Sequence, residues 1–79
     1  MHEYEVTFER GDASDTFIVD SPIDPASLVL NADSSYGEYE YVQECLTALE
    51  DLARRRYDFN PRQSFMHVTC PDGTIVKRT

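Results

Sequence analysis

Seventy-nine residues with 15 Asp and Glu against 7 Lys and Arg carry a net charge of −8, and 41% of the residues are hydrophobic. That length predicts one domain, residues 1–79, with a single thin core, and the hydrophobic share argues against disorder despite the charge. The charge is unevenly placed: thirteen acids lie between Glu3 and Asp51 with Arg10 as the only base among them, leaving −12 there and +4 in the rest. Such a field repels nucleic acid and anionic membrane and attracts cationic surfaces.

Residues 2–10 alternate, with Tyr4, Val6 and Phe8 on one side and Glu3, Glu5, Thr7 and Glu9 on the other, the period of a half-buried strand. Gly11 to Asp15 reads as a turn, and about Thr16–Asp20 as a second strand with Phe17 and Val19 facing the core, giving an antiparallel hairpin. Residues 21–35 read as a loop, inside which Asp24-Pro25 supplies an N-cap and first helical position for a short turn over Ala26–Leu30.

Ser35-Tyr36-Gly37-Glu38 fits a capping box, and Tyr39, Val42, Leu46, Leu49 and Ala53, widened by Cys45 and Leu52, recur at helical spacing. Glu38, Glu40 and Glu44 near the start and Arg54, Arg55 and Arg56 at the end suit the macrodipole, and the Arg triplet reads as a solvated helix end. Glu50 with Arg54 and Asp51 with Arg55 form i,i+4 pairs. Asn60-Pro61 closes the helical region. Ser64–Cys70 and Thr74–Arg78 then read as strands about a Pro71-Asp72-Gly73 turn, with Phe65, His67 and Thr69 opposite Met66, Val68 and Cys70. The expected fold is α+β: a four-stranded antiparallel sheet in β-β-α-β-β order with one long helix on one face.

The chemistry-bearing residues form no recognised constellation. His2, His67, Cys45 and Cys70 stand at no zinc spacing, and Gly11 to Asp15 lacks the pattern of a calcium loop. Both cysteines read as buried free thiols. His67 and Cys70 fall on opposite sides of one strand, out of hydrogen-bond reach. No Gly-rich phosphate loop or basic aromatic stripe is present. The expectation is a protein that is not an enzyme, with no catalytic, cofactor or metal site. No apolar run reaches the roughly 20 residues of a membrane span, and MHEYEVTFER lacks signal-peptide character, so the expected location is the cytoplasm.

What remains is the acidic surface. Glu3, Glu5 and Glu9 project from one side of a strand, where alternate residues lie about 6.6 Å apart, a separation similar to that of successive phosphates along a nucleic-acid strand. Asp12, Asp15, Asp20, Glu38, Glu40 and Glu44 extend the expected patch, and Tyr41, off the apolar stripe, is its aromatic contact candidate. Tyr36 and Tyr39 are lesser candidates, Tyr39 being in phase with the core stripe.

In its length, its Glu3/Glu5/Glu9 ladder, the helix start Gly37-Glu38-Tyr39-Glu40-Tyr41 and its lack of catalytic motifs, the chain resembles the small acidic inhibitors of anti-CRISPR type. Phages and mobile elements encode these against host nucleic-acid enzymes. The resemblance is one of class. It implies a bacterial host cell and stoichiometric binding to a CRISPR effector, a surveillance complex with a Lys-rich channel, blocking its contact with DNA. The expected partner is a basic nucleic-acid-binding protein or complex, with no direct nucleic acid and no membrane, and the chain itself a monomer or weak homodimer. The alternative is a housekeeping interaction module or small regulatory subunit that docks through its helix or a free sheet edge.

Overall fold

A computed structural model describes residues 1–31, 38–57 and 63–77. Its elements run β1 (His2–Arg10), β2 (Ala13–Ser21), α1 (Pro25–Asn31), α2 (Glu38–Arg56), β3 (Ser64–Thr69) and β4 (Ile75–Lys77). The strands form one antiparallel sheet in the order β2-β1-β3-β4. The α+β class, the four-stranded antiparallel sheet and the long helix are as the sequence implies. The β-β-α-β-β order is met in part: the strands and the long helix follow it, with α1, a helix of 7 residues, added between the first hairpin and α2.

The β1–β2 turn is tighter than the loop-forming residues suggest. Arg10 pairs with Ala13, so only Gly11 and Asp12 bridge the strands, and Gly11 takes φ 60° at the first of these positions. Asp15 therefore lies inside β2, opposite Phe8, instead of in the turn. The helix α1 begins as Asp24-Pro25 implies: the Asp24 Oδ1 accepts from the Ala26 N–H at 3.0 Å, and Leu28 is fully buried. The capping box before α2 and the Asn60-Pro61 stop lie outside the described residues, as do the side chains of Leu30, Glu38 and Tyr39.

The core lies between α2 and one sheet face. Val42, Cys45, Leu46, Leu49 and Ala53 from α2 meet Tyr4, Val6 and Phe8 of β1, Val19 of β2 and Val68 of β3. Phe17 and Phe65 pack edge-on against Phe8, each with ring centroids 6.1 Å away. Alternation alone sends Phe65 to the opposite face from Val68. A bulge corrects this: Thr7 pairs with His67 but Phe8 pairs with Phe65, so Met66 is the extra residue and Phe65 turns back to the core.

Two polar clusters close the ends of this layer. At one, the buried Tyr4 hydroxyl donates to the Ile23 carbonyl at 2.6 Å, and its pKa is pushed up to about 12, chiefly by burial. At the other, Asp15 accepts from Gln63 Nε2 and lies 3.7 Å from Arg10. Arg54 bonds Glu50 at 2.9 Å and the Gln63 carbonyl at 3.0 Å, with its guanidinium 4.9 Å from the Phe8 ring centre. Arg54 is thus a structural clamp and not a solvated helix end, whereas the exposed Arg55 pairs with Asp51 as its spacing implies.

Candidate functional site

The face of the sheet away from α2 carries the side chains that alternate with the core residues, and the pairing register arranges them in rows across the strands. Asp20 stands beside Glu3. The next row reads Ile18, Glu5, Thr69, Ile75; the third reads Thr16, Thr7, His67, Lys77; the fourth reads Ser14, Glu9, Ser64. Neighbours within a row are about 4.8 Å apart, and rows follow one another at about 6.6 Å.

One contact fixes the kind of pairing. The Tyr57 hydroxyl, reaching round from the end of α2, donates to the Ile18 carbonyl at 2.9 Å. That carbonyl therefore points away from β1, and Glu5 and Ile18 form the closer, non-hydrogen-bonded kind of antiparallel pair. With a period of two, Glu3–Asp20, Thr7–Thr16 and Glu9–Ser14 are of the same kind, and the Thr7 and Thr16 hydroxyl oxygens indeed meet at 3.1 Å. Glu3 and Asp20 are thus like charges set directly opposite at close range, an arrangement that disfavours the fold.

Glu3, Glu5, Glu9 and Asp20 are all exposed, and none of the ion pairs among the described residues involves them. The ladder is not continuous. Thr7, only 6% exposed, fills the step between Glu5 and Glu9 beneath its neighbours. Beside it lies His67, whose Nδ1 is buried without a hydrogen-bond partner. Its pKa is lowered, first by burial and then by the neighbouring Lys77, so the neutral imidazole is favoured.

The remaining residues expected in the patch separate. Asp12 is exposed at the hairpin tip, and Asp15 faces the opposite side of the sheet, tied to Arg10 and Gln63. Glu40 and Glu44 are exposed on α2, which covers the other face, so they do not join the strand acids. Glu38 begins α2, with its side chain outside the described residues. Tyr41 is 38% exposed, and its hydroxyl accepts from Ser27 Oγ at 3.3 Å, placing it beside α1 on the helical side. One expected patch is therefore two acidic faces back to back. Ile18 and Ile75, absent from the sequence-derived site, are 45% and 53% exposed and stand at the two ends of the Glu5 row. The signal for Ile18 was available in the alternation of β2; the place of Ile75 depends on strand order.

Outside this face, Cys45 and Cys70 are buried thiols, and burial raises both pKa values. A depression of about 470 Å³ along α2 is lined by Glu44, Thr47, Ala48, Glu50, Asp51 and Arg54. The described residues contain no group of three or more metal-ligating side chains and no helix long and apolar enough to cross a membrane. No protein-family model, curated protein or solved structure matches the chain.

Proposed function

We propose that the chain is a small protein-binding inhibitor whose helix-free sheet face covers a Lys/Arg-rich, nucleic-acid-binding surface of another protein. The observation that carries this is the placement of Glu3, Glu5, Glu9 and Asp20 on that face, exposed and outside the described ion pairs, with Glu3 and Asp20 opposed at a cost to the fold. Like charges held together against stability are relieved when a cationic surface meets them. Because Thr7 interrupts the ladder, the mode is electrostatic and steric occlusion more than imitation of a continuous phosphate row, as a DNA mimic would make.

In its particular form the proposal follows the anti-CRISPR resemblance: the partner is a CRISPR surveillance complex and the blocked site its DNA or protospacer-adjacent-motif groove. On this reading a phage-encoded protein works in the cytoplasm of the bacterial host, as a monomer or weak homodimer, with no cofactor, metal or catalytic step. A purified surveillance complex, titrated with the protein and then with labelled target DNA, tests it. The protein should block DNA binding at about one equivalent, and the triple reversal Glu3→Lys, Glu5→Lys, Glu9→Lys should fold normally and leave DNA binding intact. If the reversed protein inhibited as well as the natural one, the face would not be the inhibitory surface. Binding that persisted in high salt would favour the alternative of an apolar interaction module.

A further inference from the structure

Resting on that reading and extending it, we infer that the face takes an extended cationic segment of a protein partner, with two apolar side chains four residues apart and a Lys or Arg midway between them. The observation is the row Ile18, Glu5, Thr69, Ile75, whose apolar ends are 45% and 53% exposed while its middle is polar. Those ends lie on β2 and β4, the two outer strands, three strand spacings apart. Three spacings of about 4.8 Å make about 14 Å.

An extended segment lying along the row has same-side residues about 6.6 Å apart, so its first and fifth residues span about 13 Å and its third falls over the centre. Apolar residues at the first and fifth places then cover Ile18 and Ile75, and a cation at the third meets Glu5. A cation just beyond the segment's β2 end reaches Asp20 and Glu3, one row away. A helix fits less well, since 14 Å is about nine residues of rise and nine residues make two and a half turns, leaving the second anchor facing away.

Charge decides between occupants. A second copy of this chain in the same place would set four carboxylates and Lys77 against the same set, a net negative face against a net negative face, so the occupant is cationic. Main-chain pairing on the β2 edge is a different mode, and Tyr57 already occupies the Ile18 carbonyl there.

Two synthetic peptides of identical composition test the spacing. Lys-Leu-Ser-Lys-Ser-Leu-Lys has its leucines four apart with Lys midway, and Lys-Ser-Leu-Lys-Leu-Ser-Lys has them two apart. In fluorescence anisotropy at low salt the first should bind about tenfold more tightly, from the added apolar burial. The variant Ile18→Ser with Ile75→Ser, both exposed, should abolish the difference while retaining charge-driven binding of both peptides. Equal affinities, or a preference unchanged in the double-Ser variant, would overturn the inference and leave the proposed function standing. Binding of both peptides unaffected by Glu3→Gln, Glu5→Gln and Asp20→Gln together, yet lost with Glu40→Gln and Glu44→Gln on α2, would overturn both.

Discussion

Replacing Glu3 with glutamine removes one charge of a directly opposed like-charged pair on the sheet while keeping the side chain's size. Glu3 faces Asp20 in a non-hydrogen-bonded pair, where Cβ atoms are about 4.5–5.5 Å apart. Two carboxylates about 6 Å apart in water repel by about 0.7 kcal/mol, within the range of about 0.2–1 kcal/mol for cross-strand pairs. For a domain this small, that corresponds to a rise in Tm of about 3–5 °C at low salt. The gain should fall away in 1 M salt, where the screening length is about 3 Å. Thermal unfolding of both proteins by circular dichroism at the two ionic strengths is the assay, and the same substitution should weaken binding of a cationic peptide. A variant with unchanged or lower Tm at low salt, or a gain that survives 1 M salt, would refute the idea that this face holds its charges against stability.

Three further expectations concern the scaffold. Tyr4→Phe leaves the Ile23 carbonyl without its 2.6 Å donor and should lower the unfolding free energy by about 1–3 kcal/mol, measured by urea denaturation. His67 has Lys77 beside it, Thr7 opposite and Glu5 and Glu9 diagonally placed on β1. Its pKa is lowered in the fold, so as pH falls below the unfolded value of about 6.5 the unfolded chain takes the proton first. The natural protein should therefore lose stability relative to His67→Gln between pH 7 and 5; parallel pH profiles would contradict this. Tyr57→Phe frees the Ile18 carbonyl on the edge of β2 and should raise concentration-dependent association, followed by sedimentation velocity.

The elements were legible wherever one face of a segment is buried and the other wet. The alternation of Tyr4, Val6 and Phe8 and the helical stripe from Val42 to Ala53 each report a single buried face, and each is buried as the pattern implies. Local patterning says nothing of what a partner element demands. The bulge at Met66 arises because Phe65 must reach Phe8, and Arg54 leaves solvent because the Phe8 ring and the Gln63 carbonyl stand where its guanidinium falls. Gln63 carries no sequence signal, since its role depends on Asp15 lying within β2. The acidic patch was half legible for the same reason. Glu3, Glu5 and Glu9 share a face by the period of a strand, but whether Glu40 and Glu44 join them depends on which side of the sheet α2 covers.

Cationic partners are expected to meet the helix-free face and not the acidic face of α2. Backbone amide shifts of the isotope-labelled protein, followed by NMR during titration with Lys-Leu-Ser-Lys-Ser-Leu-Lys, report which face the peptide meets. Shifts should centre on Glu3, Glu5, Ile18, Asp20, Thr69 and Ile75; shifts centred on Glu40 and Glu44, or spread equally over both faces, would show that the helix-free face is not the docking surface.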